Sequence, residues 1–225
     1  MFAGRNWPEG FAFPACVKCN RATRDFEQVV AWLARMYPDP VTPGEIQEAK
    51  ERFQAMERHF PEILLEMKPT ARQLREAEAK YGLLTPPGGS RDQLPVLSVR
   101  GEPLNKAIFE FGRKLALALY YKHTGSILPS SGRLALRWYS NLQIRADEIP
   151  RELAVILNQF PPLVRCSTNL GDQFFYRLGV ADTKQMIAFL ALFRESFGIA
   201  GLVSMEGDKL QDMEGSSIYS PYTWQ

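Results

Sequence analysis

Cys16-Val17-Lys18-Cys19-Asn20 places two thiols at the spacing of a metal-ligand pair, with an asparagine directly behind them. Thiolates three residues apart suit zinc, which in a structural site takes four protein ligands in a tetrahedron, and one Cys-x-x-Cys supplies two of them. The remaining candidates are scattered: the third cysteine is Cys166, and the histidines are His59 and His123. A lone cysteine in a strand-like stretch reads more simply as a small buried apolar group. His123 closes a helical pattern, where the helix dipole favours an imidazolium, and His59 ends another. A redox role is the competing chemistry for the thiols. Such a motif follows a strand in a βαβ setting, whereas this one follows a Pro- and Gly-rich start.

Phosphate contact is the second chemistry on offer. The net charge is only +2, but residues 1–24 carry four basic side chains against one acid, and residues 91–165 carry eleven against six. Arg21, Arg24, Lys114, Lys122, Arg133 and Arg137 are the candidate nucleic-acid contacts, with an ordinary solvated face as the alternative. Other constellations are missing: there is no Gly-x-x-x-x-Gly-Lys loop, no nucleophile elbow and no His-Glu-x-x-His. The adjacent Asp147 and Glu148 read as helix-start acids.

These groups need elements to hold them. Asp25 with Gln28 has capping-box character and precedes Phe26, Val29, Val30, Leu33 and Met36 at helical spacing, up to Pro38. Thr42-Pro43-Gly44-Glu45 is a cleaner start, and Pro61 ends or bends the helix it opens. Thr70 and Gln73 open a helix that Gly82 closes. Residues 85–90 are the linker candidate. Residues 94–100 alternate like a strand, and Pro103 begins the strongest helix, with Leu104, Ile108, Phe111, Leu115 and Leu119 in step until Gly125. Residues 134–139 read as a strand, 150–160 as a short helix and 163–168 as another strand. Residues 174–178 are strand-like. Apolar side chains then keep a step of two from Ile187 to Val203, with a helix over 184–196 as the alternative. The tail from residue 208 reads as frayed or laid over the surface.

The stretch from Trp7 to Asn20, with Pro14-Ala15-Cys16-Val17-Lys18-Cys19-Asn20 at its end and a helix behind it, resembles the second half of a cysteine-bearing HNH endonuclease domain. The resemblance covers residues 7–28. That family carries an upstream Cys-x-x-Cys, then an acid–histidine pair on a strand, a loop, and a cysteine knuckle opening a helix. Met1 falls inside that loop. The family hydrolyses phosphodiester bonds in DNA, with the strand histidine as general base and a divalent metal stabilising charge on the phosphate. The resemblance implies zinc on Cys16 and Cys19, and Asn20 as the helix-side contact to a catalytic metal such as magnesium. The acid, the base and the first cysteine pair have no counterpart in these residues. The later region, including residues 112–125 and 171–176, looks like a domain that accompanies such segments in microbial proteins.

The expectation is therefore an HNH-type protein that cannot cleave DNA unaided, or a non-catalytic nucleic-acid-binding or interaction protein. The expected fold class is α+β: a partial zinc knuckle with the first helix (1–40), a helical region (41–84), a core of antiparallel sheet packed on a long central helix (91–207), and a tail (208–225). A knuckle without its other half would be mobile or completed by a second copy in a homodimer. Three cysteines form no disulfide framework, so a reducing cytoplasm is expected. The apolar run over 186–203 is broken by Arg194, Glu195 and Gly198, so no membrane span is expected.

Overall fold

The computed structural model describes residues 17–84, 89–90, 94, 96–151, 153, 155, 173–207, 210 and 216–221. Its elements are α1 (Val17–Leu33), α2 (Pro43–His59), α3 (Pro61–Glu66), α4 (Ala71–Tyr81), α5 (Glu102–Thr124), β1 (Arg133–Ser140), α6 (Asn141–Arg145), β2 (Phe174–Val180), β3 (Met186–Phe193), β4 (Phe197–Ser204) and β5 (Ser217–Tyr219). Among the described residues this is an α+β fold, with an antiparallel sheet ordered β2-β3-β4-β1-β5.

The helices whose ends carry side-chain chemistry begin and stop where that chemistry places them. Thr42 and Thr70 each accept a hydrogen bond from the backbone of the third helical residue, Glu45 or Gln73, which returns the bond to the cap. Gly82 and Gly125 end α4 and α5 with φ of 63° and 75°, left-handed values that cost glycine little. α1 is the exception. It starts at Val17, so Asp25 is an exposed residue within the helix and not its cap. Nothing between Pro14 and Pro38 breaks a helix, and the apolar spacing that begins at Phe26 simply continues a helix already under way.

Residues 96–100 form no strand. Ser98 donates its N–H to the Met67 carbonyl at the end of α3, and its hydroxyl accepts from Gln73, so the segment is tied to helices and has no sheet neighbour. The expected strand over 174–178 is β2. The long step-of-two pattern is the β3–β4 hairpin. Its turn, residues 194–196, is odd in length, so parity carries across it and Phe193 pairs with Phe197. The tail is not merely frayed: Leu134, Ala135 and Leu136 of β1 pair with Tyr219, Ile218 and Ser217. The Tyr219 ring packs 5.7 Å from Phe109, which gives the strand an apolar anchor. The linker over 85–90, the helix over 150–160, and the strand over 163–168 with Cys166 lie largely or wholly outside the described residues, as does Cys16.

One face of the sheet meets α5. An added Cβ on Gly112 would lie 3.5 Å from both Leu136 and Ile199, and Phe111 meets Phe193 edge-on at 5.5 Å. A single cluster of buried side chains joins Val30, Met56, Ile63, Ile108, Leu136 and Phe189, so helices and sheet share it. Each such large apolar side chain contributes about 1.5–3 kcal/mol on burial. Ser196, in the hairpin turn, accepts the Tyr37 N–H at 2.8 Å and donates to the Tyr37 carbonyl at 2.7 Å, fastening the chain after α1 to the sheet.

Candidate functional site

Cys19 and Asn20 lie in the first turn of α1; the Cys19 side chain is outside the described set. Asn20, Thr23 and Glu27 succeed one another at steps of three and four, which places them along one side of the helix. That side faces Lys114 of α5. The ammonium donates to Asn20 Oδ1 at 3.0 Å, to Thr23 Oγ1 at 3.2 Å and to Glu27 Oε1. A lysine has three donors, and three oxygens receive them. The result is a clamp between α1 and α5. Both ends of the Lys114–Glu27 pair are about a third exposed, so its charge contribution is that of a surface pair.

The other candidate cations do not converge on one face. Arg21 and Arg24 are exposed on α1 and make no ion pair among the described residues. Lys122 is exposed in the last turn of α5. Arg133 donates through Nη1 to the carbonyls of Ser130, Ser131 and Gly132, the shortest at 2.8 Å, and so closes its own loop. Arg137 alternates with Leu136, so it lies on the sheet face away from α5, with its guanidinium 5.1 Å from the Tyr139 ring centre.

His123 does not stand beside Asn20. Lys114 marks where α5 meets Asn20, and His123 is nine residues further on, about 13 Å along the helix axis. Its Nε2 lies 3.3 Å from the Tyr176 hydroxyl. Burial first, and then the Lys122 charge, push its pKa below the ordinary 6.5, the reverse of the helix-end expectation. His59 ends α2, its ring 6.3 Å from that of Phe60.

Among the described residues no group of three or more His, Cys, Asp and Glu side chains is placed to hold a metal ion. A divalent cation on Asn20 Oδ1 would also stand beside the Lys114 ammonium bonded to that oxygen, an unfavourable pairing of like charges. The described residues around Asn20 therefore do not fit a catalytic metal while Lys114 is in place. No helix among the described residues is long and apolar enough to cross a membrane.

A charged group with no motif to announce it lies at the other end of α1. Arg35 and Arg52 share the Glu48 carboxylate, at 2.7 and 2.8 Å. The one signal for it in the sequence is an arginine inside the apolar stretch from Val29 to Met36. Comparison with known proteins yields no matching family model, no matching curated protein and no matching solved structure.

Proposed function

We propose that this chain is a DNA-binding protein of HNH-endonuclease type that grips a phosphodiester backbone without cutting it on its own. In this reading the knuckle, with zinc on Cys16 and Cys19, fixes the start of α1, and α5, packed on the sheet as the central helix, holds α1 through the Lys114 clamp. The observation that carries the reading is the exposure of Arg21 and Arg24 one turn behind the knuckle, with no acidic partner among the described residues. Cations in that state are the ones that can release counterions from a phosphate backbone. The absence of cutting rests on the acid–histidine pair of the family pattern, which has no counterpart among the residues that carry the resemblance, and His123, nine residues beyond Lys114 on α5, does not replace it.

Titrating a short DNA duplex at increasing salt tests both halves. Affinity should fall steeply with salt, and Arg21→Ala with Arg24→Ala should make the log–log slope shallower by about two, near one per lost phosphate contact. Supercoiled plasmid should survive magnesium or manganese. Affinity indifferent to salt or to the double variant rejects the DNA reading, and nicking that vanishes in Asn20→Ala rejects the non-cutting one. A non-catalytic protein-interaction role is the reading beside it. It is favoured by Lys114 and Arg133 being engaged within the fold, and a chain that binds no duplex even at low salt supports it.

A further inference from the structure

Between the C-terminal end of α1, α2 and α3 lies a cleft of about 680 Å³. Small-molecule sites span about 300–1,000 Å³. Its wall is apolar, formed chiefly by Trp32, Met36, Phe53, Leu64, Leu65 and Met67. Phe53 and Leu65 are 45% and 63% exposed, so large apolar groups gather in water on one concave surface.

Arg35 lines the same cleft with a side chain only 6% exposed. Its Nη2 holds Glu48 at 2.7 Å, and Nε and Nη1, neither of them buried without a hydrogen-bond partner, stay open to solvent. Donors that reach only the water of the cleft can exchange that water for a carboxylate through charge-assisted hydrogen bonds. Arg52 and Lys68 also line the cleft, as does Glu57; with Glu48 between the two arginines, three cations face two carboxylates and one positive charge is left. Arg194, in the β3–β4 turn, and Glu45, in the first turn of α2, are also felt at Arg35 with opposite signs, so the surplus stays at one.

We propose that this cleft binds an alkyl-chain monocarboxylic acid, its carboxylate on Arg35 and its chain along the wall from Trp32 to Met67. The planar guanidinium matches a carboxylate in geometry, and one negative charge balances the surplus. A polyanion would confront Glu48 and Glu57, a neutral lipid would leave the surplus charge unbalanced, and a cation would be repelled. Methionine and leucine side chains suit a flexible chain because they repack around it. The cleft lies at the opposite end of α1 from Arg21 and Arg24, so it is independent of the DNA reading.

Calorimetric titration of the whole chain with dodecanoate, below its micelle concentration, tests this. Saturable binding at one site is expected, with dodecanol weaker. Arg35→Gln should weaken dodecanoate by about tenfold or more, the effect of losing a charge-assisted hydrogen bond. Because Arg35 is buried and its loss can unfold the chain, Leu65→Glu provides the second arm. At an exposed position it should leave the melting temperature unchanged while weakening dodecanoate by a similar factor. No saturable binding, dodecanol as tight as dodecanoate, or unchanged binding by Leu65→Glu would each overturn the proposal.

Discussion

At the residue scale, His123 sits in the last turn of α5, where the helix dipole favours a charged imidazole. Half-buried against Tyr176 and next to Lys122, it is nevertheless held toward the neutral form. The unfolded chain then binds a proton at a pH where the folded chain does not. The stability contributed by neutral His123 is complete above pH 6.5 and is lost as pH falls from there toward the lower folded pKa. Urea midpoints taken above and below pH 6.5 should therefore drop on the acid side, and His123→Phe should flatten the drop. Lys114 teaches a related lesson. Sequence marks it as a cation for phosphate; only the fold shows that three oxygens of α1 already receive its three protons.

At the element scale, the β3–β4 hairpin depends on a residue without a side chain. A Cβ on Gly201 would lie 2.5 Å from the Phe189 ring and 2.8 Å from Leu136, both fully buried. Gly201→Ala should cost about 1–3 kcal/mol through overpacking, seen as a lower denaturant midpoint with an unchanged slope. Elements governed by their own residues are legible in the sequence. Thr42, Thr70, Gly82 and Gly125 announce helix ends by local chemistry, and Phe189, Ala191 and Phe193 announce a strand by parity. Elements governed by distant partners are not. The segment over 94–100 alternates like a strand from Leu94 to Val96 but is tied to helices at Ser98, and Ile218 and Tyr219 become a strand because β1 presents one. Asp25 resembles a cap because a capping box can occur by chance inside a helix. Of the candidate site, the resemblance points to Asn20 and the local charge count to the exposed arginines, but neither points to the Lys114 clamp, whose members are 87 to 94 residues apart.

At the scale of the whole molecule, the buried cluster runs without a break from α1, α2 and α3 through α5 into the sheet. Segments sharing so much apolar burial should lose it together. Helical circular dichroism and the near-ultraviolet signal of Trp32 and Trp138, both in or packed against that cluster, should report one coincident urea transition. Two separated transitions would mean that the region over 41–84 melts as its own unit. The candidate basic side chains are spread over two helices, α1 and α5, and the sheet face away from α5, so a phosphate backbone would meet α1 first and gain little from Arg137 on the far face.

β5 is only three residues long, yet it covers the outer rim of β1 along Leu134, Ala135 and Leu136. An uncovered rim offers its amides and carbonyls to any strand that arrives, including one from another molecule. Clipping the chain ahead of Ser217 would thus turn a shielded border into a template for self-stacking, a hazard of aggregation that a handful of terminal residues keeps closed.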